Sequence, residues 1–310
     1  MAAALLRPNS GQEGAMGISG VREFCRPQSA RDVVELLAKY GDRAVLLAGG
    51  TFLHGLFARG LGTGVEVLVD LQKAGLSYVK TTNGGLALGA TTTFRELAES
   101  EAVQKAPEFA AIRDALQYPP AQIRNQATVG GCVASASSLF DLPVALLALD
   151  GSVKSLGPRG PRETILAKFF VDYFEHSLEK GEFLTEVLLP KPPARSASAF
   201  LKLETNSNDL ALLNVAVRIT LDPAGLCQGA CVVIGGGVGK VPVRAVSCEA
   251  VLKGQRPTRA LFESAAQKVA ADIQPVSDHR ASGQYRRAVA KVYLRRTLLR
   301  AAERLGLEIA

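Results

Sequence analysis

The sequence predicts an α+β fold divided between two domains, and three observations carry that reading. At 310 residues the chain exceeds the size at which a single hydrophobic core keeps growing. Strand-like and helix-like segments alternate irregularly up to about residue 190, and past the stiff stretch Lys191-Pro192-Pro193 three strand patterns are followed by three helical ones. Thirty glycines against 15 prolines suit tight turns and close backbone approaches in a strand-rich architecture.

Residues 29–40 (SARDVVELLAKY) open with Ser29 as a cap and carry Val33, Leu36 and Leu37 at helical spacing, so a helix is expected to start the folded part. The short apolar run 44–48 reads as a buried strand, ended by Gly49-Gly50, with Thr51 capping a helix through Gly60. Residues 65–71 (VEVLVDL) alternate as a strand, and 76–80 pairs with 86–90 across the Asn83-Gly84 turn. Thr93-Phe94-Arg95-Glu96 has the form of a capping box, and residues 108–117 form another helix before the Tyr118-Pro119-Pro120 break. Residues 127–132 (ATVGGC) read as a second strand ending in a diglycine, followed by the small-residue segment 133–138. Asp141 or Leu142 caps a helix through Leu149 with Pro143 in its first turn, and strands follow near Val153 and at 183–189. In the second domain, strands are expected at 198–204, 211–221 and 225–235, and helices at 245–252, 259–271 and 284–305.

The two diglycines share one physical logic. An extended segment ends in residues without a side chain, so bare N–H groups can converge on an anion. At the first, the helix opening after Thr51 adds dipole character worth about 0.3–1 kcal/mol to a nearby negative group, so a pyrophosphate could bind without Lys or Arg. Each diglycine is also readable as a plain turn. Gly235-Gly236-Gly237-Val238-Gly239-Lys240 fails as a phosphate motif, because Lys240 stands where a dinucleotide fingerprint needs Gly and Val241 where a P-loop needs Ser or Thr; it reads as a strand-ending turn.

The chain resembles the FAD-binding subunit of the molybdenum hydroxylases over nearly its whole length from about Val21. The resemblance is carried by LLAGGTFL (46–53), GATTTFRELAES (89–100), QIRNQATVGGCVASASSLFDLPVALLALD (122–150), GEFLTEVLLP (181–190) and FLKLE (200–204). It implies an α+β fold made of a two-part FAD-binding domain of the vanillyl-alcohol oxidase (PCMH) type at 21–193 and a smaller α+β C-terminal domain of the CO dehydrogenase flavoprotein type at 194–310, after a flexible N-terminal extension at 1–20. Position by position, it places Leu47, Ala48, Gly49, Gly50, Thr51 and Phe52, together with Thr128, Gly130, Gly131 and Cys132, around the FAD phosphates and ribityl chain. Ser135 and Asp141 would hydrogen-bond further along the cofactor, Tyr118 would lie near the isoalloxazine, and Leu184 and Lys202 would contact it from the far wall and the second domain. Lys202 would also stabilise the anionic reduced flavin. Without a cofactor, Asp141 reads as a helix cap and Lys202 as a solvated strand residue.

Two positions depart from the family pattern. Cys132 stands where Asn is usual, exchanging a strong amide donor and acceptor for a weak thiol. Paired arginines often follow the lysine strand, whereas here the stretch is Glu204-Thr205-Asn206-Ser207-Asn208-Asp209. The resemblance further implies electron transfer from [2Fe-2S] clusters of a small partner subunit to an external acceptor, beside a large molybdenum-cofactor subunit, in a dimer of heterotrimers. Two other classes share these residues: a free-standing flavoenzyme of the same cofactor fold, and a flavin-free assembly scaffold.

Composition narrows the remaining classes. The net charge of +7 comes largely from Arg286, Arg287, Lys291, Arg295, Arg296, Arg300 and Arg304, on a helix expected to bury Tyr285, Val289, Val292, Leu298, Leu299 and Leu305. No stacking aromatics interleave the arginines, so a solvated or partner-facing helix is expected and no nucleic-acid surface. Five cysteines form no disulfide framework; Cys227 and Cys231 read as buried thiols on one strand face, and a reducing, cytoplasmic setting fits. The apolar patch at 2–6 is too short for a signal-peptide core, and no membrane span is expected. His54, His176 and His279 are scattered, read as structural or surface residues, and suggest no metal site.

Overall fold

The computed structural model describes residues 20–62 and 64–309, so the expected N-terminal extension lies, apart from Gly20, outside the described residues. The first lobe begins with a strand rather than a helix: β1 (Glu23–Cys25) precedes α1 (Ala30–Tyr40). A Ser29–Asp32 capping box fixes the start of α1, the side chains reciprocating on each other's backbone N–H. With β2 (Ala44–Leu47) and β3 (Val67–Asp70), β1 makes a three-stranded parallel sheet of order β1-β3-β2. Between β2 and β3 lies α2 (Thr51–Phe57), capped by Gly50 at φ 70° rather than by Thr51, and shorter than the expected run to Gly60. A left-handed residue closes that corner, and glycine adopts it without steric cost.

The second lobe is built on a five-stranded antiparallel sheet. The hairpin β4 (Val79–Thr82) and β5 (Gly85–Gly89) turns at Asn83 and Gly84, both at positive φ as a type I′ turn requires. The helices α3 (Phe94–Glu99), α4 (Glu101–Gln104), α5 (Ala110–Ala115), α6 (Ala121–Gln126), α7 (Val129–Ala134) and α8 (Asp141–Ala148) follow. After them come β6 (Ser152–Gly157), β7 (Gly160–Ile165), the one-turn α9 (Leu166–Phe169), the small hairpin β8 (Phe170–Asp172) and β9 (Glu175–His176), and β10 (Phe183–Leu189). The sheet order is β4-β5-β10-β6-β7. The expectation of a strand over 127–132 is corrected. Only Thr128 bridges to Thr93 in extended form; its hydroxyl then accepts from the Gly131 N–H and starts a helix.

The C-terminal domain has the expected order, strands and then helices. β11 (Ser196–Leu203), β12 (Leu213–Leu221), β13 (Cys227–Gly235) and β14 (Val243–Arg244) form an antiparallel sheet in sequence order, followed by α10 (Val246–Leu252), α11 (Arg259–Asp272) and α12 (Gly283–Arg304). One face of the sheet packs on α10, α11 and α12 through Val215, Val217, Val232, Phe262 and Leu298. The other packs on α5 and α8 of the first domain through Ala111, Ala115, Val144, Ala145, Phe200 and Val233. Cover on both faces explains why β12 (LNVAVRITL) is nearly continuously apolar instead of alternating.

Two further expectations fail for geometric reasons. A β-bulge between Thr220 and Leu221 skips Gln228, so Cys227 joins the core under the helices while Cys231 joins the core against the first domain. Along α12, Tyr285 and Val292 are exposed at 47% and 38%, and the buried line is Arg286, Ala290, Leu294, Thr297, Leu298, Ala301 and Ala302. Small residues let the helix sit close to the sheet, which selects the alanine stripe over the bulkier one.

The domains are joined along the free edge of β11. An edge strand leaves backbone groups unpaired unless something covers it. Here Phe200 N–H donates to the Asp114 carboxylate and Lys202 N–H to the Tyr118 hydroxyl, while Ser198 Oγ donates to Glu108 O and accepts from Ala111 N–H. Asp114, 2% exposed, also receives Arg300 and Arg304 from α12, so part of the basic helix is spent inside the molecule.

Candidate functional site

The two glycine corners meet. Gly49 lies against the backbone of Gln126 and Ala127, immediately before Thr128, which brings the β2-to-α2 turn onto the entry to α7. At the first corner, the backbone N–H groups of Gly49, Gly50, Thr51 and Phe52 have no hydrogen-bond partner among the described residues. Unpaired donors converging on a turn with a left-handed glycine form a concavity suited to an anion. The second corner is tighter. The Gly130 N–H donates to Ala90 O, and a Cβ there would meet the Ala90 Cβ at 2.6 Å, so Gly130 is a packing glycine that seats α7 on the sheet. Gly131 is exposed, and a Cβ on it would meet only the Thr128 hydroxyl.

Leu47, Ala48, Thr51 and Phe52 flank the first corner, and Phe52 ties it to the rest of the site. Its ring is edge-on to Phe140 at 5.9 Å and stacked on Phe174 at 6.0 Å, linking α2 to the segment before Asp141 and to the β8–β9 turn. Cys132 points into the apolar core of the second lobe, where burial pushes its thiol pKa up. It therefore presents no amide-like group to the corner. Ser135 is buried and donates to Cys132 O. Leu184 sits in the same core beside the β10 bulge, next to Thr185, whose carbonyl receives the Ala90 N–H.

At the other end, where the domains meet, Asp141 and Lys202 form a buried ion pair of 3.0 Å. Lys202 is thus not a solvated strand residue, and Asp141 is the first residue of α8 rather than its cap, which is Phe140. Asp141 also accepts from Asn214 Nδ2 at 2.8 Å, and Lys202 Nζ lies 3.1 Å from Glu204 and 5.3 Å from the centre of the Tyr118 ring. Burial pushes the Asp141 carboxyl up, while Lys202 and Asn214 favour its charged form. Burial likewise raises Tyr118.

Asn214 faces Lys202 across the β11–β12 ladder, and a Cβ on Gly235 would lie 2.4 Å from its Oδ1, so that residue of the glycine run is set by the amide beside it. The turn after it, with Gly236 and Gly237 at φ 81° and 75°, confirms the strand-ending reading; Gly236 N–H donates to Ser138 O of the first domain. Asn214 was missed from the sequence, although a lone amide in an otherwise apolar strand is a signal, since buried polar groups require partners. Phe140, Phe174 and Gln126 gave no such signal, because their part depends on segments far apart in the chain.

A two-domain α+β molecule with a corner of unpaired backbone N–H groups beside a cluster of aromatic rings, and a buried ion pair where its domains meet, has the features of a nucleotide-cofactor protein. Residues 19–192 match the family described as the FAD binding domain in molybdopterin dehydrogenase, and residues 198–301 the CO dehydrogenase flavoprotein C-terminal domain. The chain is 32% identical to the 6-hydroxypseudooxynicotine dehydrogenase complex subunit alpha of Paenarthrobacter nicotinovorans, over 91% of this chain and 95% of that protein. It is also 32% identical to the carbon monoxide dehydrogenase medium chain of Afipia carboxidovorans, over 93% and 99%. The structure of reconstituted CO dehydrogenase from Oligotropha carboxidovorans aligns at a TM-score of 0.86, with 31% identity over 93% of this chain and 99% of that one. The chain belongs to the FAD-binding medium subunits of the molybdenum hydroxylase family of oxidoreductases, and its cofactor is FAD. Among the described residues no helix is long and apolar enough to cross a membrane, and no cluster of potential ligands could hold a metal.

Proposed function

We propose that the chain is the electron-transfer subunit of a cytoplasmic molybdenum hydroxylase, assembled with a large molybdenum-cofactor subunit and a small [2Fe-2S] subunit as a dimer of heterotrimers. In this reading FAD takes electrons from the iron–sulfur clusters and passes them to an external acceptor; the cofactor supplies the redox chemistry and the protein orients and shields it. The observation that carries the reading is the meeting of the Gly49 corner with the entry to α7. The N–H groups of Gly49, Gly50, Thr51 and Phe52 would hold the diphosphate, with Leu47, Ala48, Thr128, Gly131 and Ser135 lining the same passage. Gly130 and Cys132 act from behind it, through packing. Leu184, Tyr118, Asp141 and Lys202 would border the isoalloxazine end, where the Lys202 charge favours the anionic reduced flavin.

The test is the visible spectrum of the purified protein, followed by titration with reductant and by analysis of co-purifying chains. The expected result is a flavin spectrum that bleaches on reduction, with iron–sulfur and molybdenum chains in the same particle. A colourless chain that cannot be loaded with FAD would support the scaffold reading, and a yellow chain that remains solitary would support the free-standing flavoenzyme.

A further inference from the structure

The cluster at the domain boundary holds one more carboxylate than its cation balances. Lys202 Nζ lies between Asp141 Oδ2 at 3.0 Å and Glu204 Oε2 at 3.1 Å. Glu204 is the first residue past the end of β11, two positions on from Lys202, and the 3.1 Å approach places its carboxylate beside the ammonium. The two carboxylates differ in access. The Asp141 side chain is 9% exposed and engages both oxygens, with Lys202 and Asn214. The Glu204 side chain is 20% exposed, and its Oε2 has no aligned hydrogen-bond donor despite the nearby ammonium. The other titratable groups facing the cluster are Tyr118, under the Lys202 ammonium, Cys132, whose thiol is raised by burial and then by the Asp141 charge, and Tyr293 of α12, whose phenol is raised by burial first and in smaller part by Tyr285 and the Glu204 charge. The Arg296 guanidinium covers the outer side of the Tyr293 ring at 5.8 Å. Glu204 is therefore the more exposed of the two carboxylates, with its Oε2 buried against the Lys202 ammonium and the rest of its side chain reaching solvent.

We propose that Glu204 couples protons to flavin reduction, taking one from solvent when the flavin beside Lys202 is reduced and returning it on reoxidation. The inference rests on the placement of Lys202 at the isoalloxazine. Two electrons from a one-electron iron–sulfur donor and one proton convert the oxidised flavin to its anionic reduced form, which adds one negative charge next to the cluster. A like charge favours the protonated form of a neighbouring carboxylate. The balance is FAD + 2 e− + H+ giving the anionic reduced flavin, together with Glu204 carboxylate + H+ giving the carboxylic acid. Two protons are then taken up per two electrons instead of one.

The experiment is spectroelectrochemical titration of the FAD-loaded protein across a pH series, for wild type, Glu204→Gln, Glu204→Asp and Lys202→Met. In wild type the midpoint potential should fall about twice as steeply with pH, over the interval in which Glu204 exchanges its proton, as it does outside that interval. Glu204→Gln should lose the steep interval, Glu204→Asp should keep it, and Lys202→Met should shift the potential at every pH. A wild-type slope retained in Glu204→Gln overturns the proposal while leaving the placement of Lys202 intact. An unshifted potential in Lys202→Met overturns that placement instead. Thermal melts of the four proteins establish that each is folded when measured.

Discussion

The α-carbon of Gly49 sits so close to Gln126 that a methyl group on it would lie 1.8 Å from the Gln126 carbonyl oxygen. That single approach brings the two glycine corners of the proposed cofactor site together, and no other residue type fits it. Gly49→Ala must therefore push the β2–α2 turn off α6, at a cost of more than about 3 kcal/mol, above the usual range for single substitutions. Urea unfolding should show a markedly lower midpoint, with flavin lost in parallel.

Gly131→Ala separates binding from folding. The added methyl meets only the Thr128 hydroxyl, at 2.8 Å, on an exposed residue. The fold should lose about 1 kcal/mol through a disturbed cap. Flavin affinity should fall far more than that if the cofactor passes the corner, as equilibrium dialysis against FAD will report; unchanged affinity would place the cofactor elsewhere.

The domain joint depends on Asp114. Arg304 grips it through two bonds of 2.7 Å each and Arg300 adds a third of 3.1 Å, while the Phe200 N–H donates from the β11 edge. Removing the carboxylate leaves guanidinium groups and an edge N–H uncompensated in the joint. Asp114→Ala should cost about 3–5 kcal/mol. Guanidinium denaturation followed by separate probes in each domain should change from one coincident transition to two.

His176 makes the cofactor lobe acid-sensitive. Burial holds its imidazole pKa down to about 4 from an ordinary 6.5, its ring stacks on Phe169 at 5.5 Å, and its Nδ1 accepts the Leu178 N–H. The unfolded chain binds the proton first as pH falls, so stability is complete above about 6.5 and declines down to about 4, by at most ~3 kcal/mol. Melting temperature against pH should slope upward across that window, and the slope should be missing in His176→Phe. Because β9 and the Phe174 turn share one hairpin, acidification should also weaken flavin retention.

Asp278 acts further into the acid range. Burial alone would raise its pKa, but hydrogen bonds from the fully buried Arg286 and from the Ala281 and Arg280 N–H groups pull the carboxyl down to about 2. A depressed carboxylate contributes stability that is present above its unfolded pKa near 4 and is lost between about 4 and 2. Solvent screening of this partly exposed group limits the effect to about 1 kcal/mol. Asp278→Asn should flatten the stability curve over that interval and lower it by about 1 kcal/mol near neutrality, where the ion pair with Arg286 is fully formed in the wild type.

Much of this molecule was legible in the chain. The caps at Ser29 and Thr93, the Asn83-Gly84 turn and the strands-then-helices order of the second domain follow from local chemistry, because each signal and its effect lie within a few residues. The family followed from the same residues, since glycine corners and the segments around them are contiguous in sequence. What failed was decided at a distance. Residues 127–132 look like a strand, yet the hydrogen bonds that residues 90–93 offer use up the extended form at Thr128 and release the remainder to a helix. Arginines that read as a solvated face include Arg304, whose partner Asp114 lies 190 residues away. Asp141 and Lys202 stood out in sequence only through the family resemblance, Asn214 only as a lone amide in an apolar strand, and Glu204 not at all. Only the docking of one domain's strand edge on the other's helices excludes water from around them, and burial is what turns those four side chains into a charged site.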